Sequence, residues 1–310
     1  MERLNSETLH GNWSTLLLAT DPEGRMDYTR LSDEIDILLS SSPDGIYSNG
    51  TAGEFYSQTT EEFLSVSVLL ASKCSKAGVP FQIGVSHSCA QESLERLRLV
   101  RDLRPGAVQM ILPDWFPADD RAAISFLSVM QDNADGIPIV LYNPPHAKRV
   151  LEPEEWLMLK KAVPSLVGVK VSDCGCSQEW YGRMRLNSDG LAVFIPGHHL
   201  ATGIRNGASG AYSNVSCLNP FAAQKWAWMI SSDIESALEL ESRICRFMVE
   251  CIDPFIKEMH YPNHACDRFM ALVGGWADIG SQLRWPYPSI PEEYAVGVRK
   301  RGHDIIPEFL

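Results

Sequence analysis

Leu166-Val-Gly-Val-Lys-Val171 is a short apolar run that carries one ammonium near its C-terminal end, between the turn residues Val163-Pro-Ser165 and Asp173. Read as a strand, it sends Leu166, Gly168 and Lys170 to one face and Val167, Val169 and Val171 to the other. If the valine face packs on helices, Lys170 projects into whatever the sheet encloses. An enclosed lysine loses much of its preference for the charged form, and the neutral amine attacks carbonyls. On one strand alone, a lysine that snorkels to water is the commoner outcome. The rest of the chain reverses that expectation.

The chain has 310 residues, with 45% hydrophobic and 21% charged side chains, the composition of an ordinary globular protein. This length suits one closed α/β barrel as well as two smaller domains. A net charge of −12 argues against nucleic-acid or anionic-membrane partners. No apolar run is long enough for a membrane span, and residues 1–8 contain no apolar signal core. The eight cysteines show no pairing frame, and Cys174-Gly-Cys176 lacks a second ligand pair at zinc spacing. The expectation is a cytoplasmic protein with reduced thiols, no metal and no cofactor.

Apolar runs at 13–19, 45–50, 79–85, 107–112, 137–142, 166–171, 191–195 and 209–213 read as strands. Helical segments follow them at 29–39, 60–77, 88–103, 118–133, from about 153, at 177–186 and at 199–205. Thr59 and Glu62 form a capping box for the second helix, and Ser88 is placed to cap the third. Eight such units at roughly 25–30 residue spacing predict a parallel sheet closed into a (β/α)8 TIM barrel. The remainder reads as helices at 222–229, 233–259 and 266–274, an irregular stretch at 285–294 and a last short helix. The expected division is therefore 1–220 for the barrel and 221–310 for a C-terminal helical extension packed on it.

Parallel barrels gather the C-terminal strand ends at one face. Strand two delivers Gly50-Thr-Ala-Gly-Glu54, strand five Tyr142-Asn-Pro-Pro145 and strand six Gly168-Val-Lys170. In this order and spacing the three resemble the motifs of the pyruvate-dependent class I aldolases, the dihydrodipicolinate synthase and N-acetylneuraminate lyase family. The resemblance runs over essentially the whole chain. It implies that Lys170 forms a Schiff base with a 2-keto acid, that Tyr142 transfers the proton, and that Thr51 hydrogen-bonds Tyr142. It assigns the Gly50–Glu54 loop to the keto-acid carboxylate, while Glu54 reads as a structural residue bonded to loop amides. A small-molecule keto acid as the partner and a homotetramer are implied in the same way.

The chain departs from the family at several places. Ala52 stands where a second hydroxyl residue is usual. Trp115, after strand four, replaces a tyrosine that reaches a neighbouring subunit in the synthases, and Ala147 falls where they carry a carboxylate-binding arginine. The lyase-like members grip sugar hydroxyls with polar residues after strands six to eight, and here Ser172, Gly197, His198, His199, Tyr212 and Asn214 occupy those places. His146 and Trp115 complete the expected substrate rim. The expected activity is a lyase that cleaves or forms a 2-keto-3-deoxy sugar acid, with pyruvate as product or substrate. A dehydratase using the same imine, a dihydrodipicolinate-type condensation and a non-catalytic keto-acid binder are the alternatives.

Overall fold

A computed structural model describes all of residues 1–310. Eight strands, β1 (Gly11–Thr15), β2 (Gly45–Ser48), β3 (Phe81–Gly84), β4 (Ala107–Met110), β5 (Ile139–Asn143), β6 (Leu166–Val171), β7 (Ala192–Pro196) and β8 (Gly210–Ser213), follow one another in parallel. Each pairs with the next, and β8 pairs with β1, closing the barrel. Helices cover its outside, so the strands are buried on both faces and read as continuous apolar runs. Trp13, Tyr47, Val140, Val167, Phe194 and Tyr212 belong to a separate apolar cluster that fills the barrel. Leu4 and Leu9 join that cluster from the N-terminal segment, which is tied to the barrel by the Leu4 amide bonding the Gly106 carbonyl at 2.9 Å.

Local signals set most helix starts. Thr59 and Glu62 form the expected capping box on Thr60–Ala77, and Gly78, at φ 70°, closes that helix in the left-handed region. Ser177 caps Gln178–Asn187. Ser88 does not cap the third helix: Ala90–Val100 has Cys89 at its N-cap, and the Cys89 amide bonds His87 Nδ1 instead. The first strand is shorter than residues 13–19, because after Thr15 the chain leaves the ladder and the Leu17 amide donates to Glu34. The long helix expected at 233–259 divides into Ile234–Phe247, a π-helical turn Met248–Ile252 and Asp253–Lys257. Pro254 removes one amide donor there, which favours a break in the ladder.

Strand β6 departs from strict alternation. Ile139 pairs with Leu166, yet Val140 pairs with Gly168, so one extra residue lies between them. Val167 joins the interior cluster, while Leu166, Val169 and Val171 join the outer one. A bulge of this kind resets the faces of a strand. Beyond it Lys170 keeps the inward direction that alternation predicts.

The helices after Pro220 pack against the barrel, and one side chain anchors them. Arg268, on Asn263–Gly274, is almost fully buried. Its guanidinium donates to Glu54 Oε1 at 2.6 Å, to the Leu18 carbonyl, and to the Ile279 and Gly280 carbonyls at 3.1 Å. The second Glu54 oxygen accepts the Arg284 amide at 2.9 Å. Glu54 is thus structural, but its partners come from more than two hundred residues away instead of from its own loop. No helix is long and apolar enough to cross a membrane. Replacing Arg268 with methionine strands the Glu54 carboxylate away from water and is expected to cost about 3–5 kcal/mol in urea unfolding. The double variant Arg268→Met, Glu54→Gln is expected to recover part of that loss. A single-variant cost below about 1 kcal/mol would show that the pair does not hold the two layers together.

Candidate functional site

The β5–β6 register sets Tyr142 opposite Lys170, so neighbouring strands send both side chains to the same face at the C-terminal end of the barrel. The Lys170 ammonium lies 4.2 Å from the centroid of the Tyr142 ring and 5.4 Å from those of Tyr47 and Tyr212. Aromatic faces favour a cation, but loss of solvent disfavours it more. Burial brings Lys170 down to about 8, so about a tenth of it is neutral at pH 7. Lys170 and Tyr142 open into a cavity of about 310 Å³, lined also by Thr51, Ala52, Ser172, Gly197, His198, Asn214 and His146.

Close packing explains the glycines of the β2 loop. A Cβ on Gly50 would lie 1.3 Å from the Tyr47 hydroxyl, and one on Gly53 would lie 2.9 Å from the Leu16 carbonyl. Neither needs a left-handed backbone; in this loop Glu54 takes that conformation, at φ 49°. Gly50 therefore makes room for Tyr47 and does not itself line the cavity. Burial pushes the Tyr142 phenol up to about 12, opposed by the nearby Thr51 hydroxyl. Both side chains line the same cavity.

The rim residues divide. The His198 amide donates to Asn214 Oδ1 at 3.2 Å, and Asn214 Nδ2 lies 3.0 Å from the imidazole Nδ1. Burial, helped by neighbouring His199, lowers His198 to about 4, so it is neutral at pH 7. His199 is not a rim residue. Its Nδ1 lies 2.9 and 3.0 Å from the two Asp173 oxygens, and Tyr181 donates to the same carboxylate at 2.8 Å. Burial alone would lower His199, yet the Asp173 hydrogen bond and charge carry it up to about 10. An ion pair behind the wall has captured it. Trp115 is 82% exposed, lies edge-on to Phe116, and does not line the cavity within one chain. Tyr212 lines the floor and not the rim, its hydroxyl donating to Gln82 at 2.8 Å inside the barrel.

Cys176, expected to be a reduced thiol paired in sequence only with Cys174, approaches Asp173 and His199, with the three ligand atoms within 4.8 Å of one another. Cys174 points to solvent. The Asp173 oxygens in that group are already engaged by His199 and Tyr181.

Sequence reasoning missed the outer wall. Met248, Ile252, Asp253, Asn263 and Asp267, all from the helices after Pro220, complete the cavity. Asp267 is the important omission. Burial pushes its carboxyl up to about 7, while the charge of Lys170 pulls in the other direction. Its only sequence signal is a carboxylate in the mainly apolar run Ala265-Cys-Asp-Arg-Phe-Met-Ala271. Lys170 is the one lysine or arginine in the lining.

Comparison with known proteins agrees with this geometry. Residues 8–293 match the model of the dihydrodipicolinate synthetase family. The chain is 24% identical over 215 residues to the 4-hydroxy-tetrahydrodipicolinate synthase of Ehrlichia canis, covering 68% of this chain and 71% of that one. It is 22% identical to the trans-O-hydroxybenzylidenepyruvate hydratase-aldolase of Pseudomonas putida, covering 97% and 94% of the two chains. The fold is similar to that of a catalytic lysine mutant of the Ruminococcus gnavus sialic acid aldolase, with a TM-score of 0.83, 19% identity and 100% coverage of both chains. The chain belongs to the dihydrodipicolinate synthetase family, whose members are pyruvate-dependent class I aldolases and lyases.

Proposed function

We propose that this protein is a Schiff-base aldolase that cleaves, or in reverse forms, a 2-keto-3-deoxy sugar acid with pyruvate as the three-carbon partner. The observation that carries it is the Lys170 amine, made partly neutral by burial and held 4.2 Å from the Tyr142 ring in one enclosed cavity. The neutral amine adds to C2 of the keto acid, and the carbinolamine loses water to give an iminium. Removal of the C4 hydroxyl proton then breaks C3–C4. Its electron pair neutralises the iminium as an enamine, and the aldehyde leaves. Protonation at C3 and hydrolysis release pyruvate and restore the amine. Tyr142 is the group placed to carry the C4 proton, and Thr51 steadies its phenol. Amides of the loop around Thr51 and Ala52 are assigned to the C1 carboxylate, where Ala52 offers no hydroxyl.

The absence of a second cation weighs against dihydrodipicolinate-type condensation, whose aldehyde carries its own carboxylate. Arg149, the nearest arginine in sequence to Ala147, is held by Asp120, by Glu155 at 2.5 Å and by the Ala118 carbonyl at 2.7 Å, outside the cavity lining. Dehydration by loss of a C4 hydroxyl uses the same iminium and is the second reading, kept open by the likeness to a hydratase-aldolase. Pyruvate plus an aldehyde identifies the first, and a dehydrated keto acid identifies the second. We also assign residues 1–220 to the barrel and 221–310 to the extension, which work as one unit because the extension supplies the outer wall.

Borohydride with pyruvate is expected to leave a reduced adduct detectable by intact mass on the native chain and none on Lys170→Met. A wild-type chain that traps no keto acid is a binder and not an aldolase. Tyr142→Phe is expected to keep the adduct while turnover falls by about 10²–10⁴-fold; unchanged turnover would remove the tyrosine from the mechanism. Because the amine must be neutral to attack, imine formation at low pyruvate is expected to rise from pH 6 and level off above about pH 8. A rate that is flat across that range would contradict the lowered lysine.

A further inference from the structure

We propose that Asp267, an acid without a side-chain partner in the wall of the Lys170 cavity, makes this site take an uncharged hydroxylated chain and reject a substrate with a second carboxylate. The inference rests on the imine chemistry assigned to Lys170 and extends it to the other half of the ligand.

Asp267 lines the cavity from the helix Asn263–Gly274, while Lys170 and Tyr142 line it from the strand ends. No side chain of the protein donates a hydrogen bond to its carboxyl, although the adjacent Arg268 is engaged four times over. That contrast sets it apart from three other acids of the chain. Glu54, Asp173 and Glu241 each have strong donors, whereas the Asp267 carboxyl faces open volume. A polar group aimed into an enclosed site without a protein partner is placed to meet one on a ligand.

Charge decides which ligand. Asp253, the second carboxylate in the lining, is paired with Lys257 outside it, so Asp267 is the lining acid without an ion-pair partner, and Lys170 is the one lysine or arginine in the lining. Lys170 is consumed by the imine, next to the C1 carboxylate. A second carboxylate bound in this cavity would therefore meet Asp267 with no counter-ion of its own, and like charges set together disfavour binding in a buried site. A distal ammonium would add another cation to the cavity that holds the iminium. Hydroxyls avoid both penalties. With a carboxyl pushed up to about 7, Asp267 is present both as donor and as acceptor near neutral pH, and a hydroxyl complements either form. His198, neutral and fixed by Asn214, adds a further uncharged polar contact. The cavity, about 310 Å³, is at the lower end of small-molecule sites and suits a short chain.

The test uses two acids of one length and stereochemistry, 2-keto-3-deoxyhexonate, ending in a primary alcohol, and 2-keto-3-deoxyhexarate, ending in a carboxylate. Both carry the same keto-acid head, so the half-saturating concentration for borohydride trapping compares them whether or not the bound acid is then cleaved. The native chain is expected to saturate with the hexonate at a concentration at least about tenfold lower. Asp267→Asn is expected to bring the two within about threefold, and Asp267→Lys to reverse the order, each compared with the half-saturating pyruvate concentration of the same variant. Equal saturation by the two acids in the native chain, or a gap unchanged in Asp267→Asn, overturns the subsite while leaving Lys170 in place. Failure of the native chain to trap pyruvate overturns the imine itself, and the subsite falls with it; the pyruvate control separates these two results.

Discussion

The buried contact between Arg268 and Glu54 joins the parts of this protein that must stay together for the cavity to exist. Glu54 ends the loop that follows β2, the loop that brings Thr51 and Ala52 to the cavity. Arg268 belongs to a helix far along the chain, and the same guanidinium reaches the Leu18, Ile279 and Gly280 carbonyls. A buried ion pair is a costly way to hold two layers, since both charges leave water. Its advantage is directional: four hydrogen bonds from one planar group admit a single docking position. The residue before Arg268 is Asp267, so the turn of helix that locks the layers also brings a carboxyl into the wall of the lysine's cavity.

Within the cavity the chemistry follows from what surrounds one amine. Three tyrosine rings stand about Lys170, and they remove water without supplying a counter-ion in contact. The result is an amine that can be neutral near physiological pH and can rest as a cation without being tied to a fixed partner. A lysine in a tight salt bridge would be a poor nucleophile. Asp267 is near enough to feel the charge of Lys170 but makes no hydrogen bond to it.

The same economy of charge separates this cavity from one built for a dicarboxylate. Arg149 serves the outside of the barrel through Asp120 and Glu155, and His199 serves the β6 loop through Asp173. Neither cation reaches the substrate space. What faces that space includes His198, Asn214, Asp253 and Asp267, a set of hydrogen-bonding groups with no lysine or arginine beyond Lys170.

Much of this was legible in the residues. The eight apolar runs, the capping box at Thr59 and Glu62, and the order of the Gly50–Glu54, Tyr142 and Lys170 segments are local patterns, governed by backbone geometry and by which side chains one strand presents to one face. They were enough for a closed barrel with a lysine and a tyrosine at its mouth. The bulge in β6, the capture of His199 by Asp173, the exposure of Trp115 and the arrival of Asp267 were decided only when distant segments packed. Each depends on a partner that sequence spacing does not identify: a register between neighbouring strands, a carboxylate twenty-six residues away, or a helix anchored through Arg268. Strand periodicity acts over a few residues, whereas burial, charge compensation and the fate of a polar group depend on everything within a few ångströms in space. For that reason the chain by itself determined the reactive amine, and only the tertiary structure decided what stands opposite it.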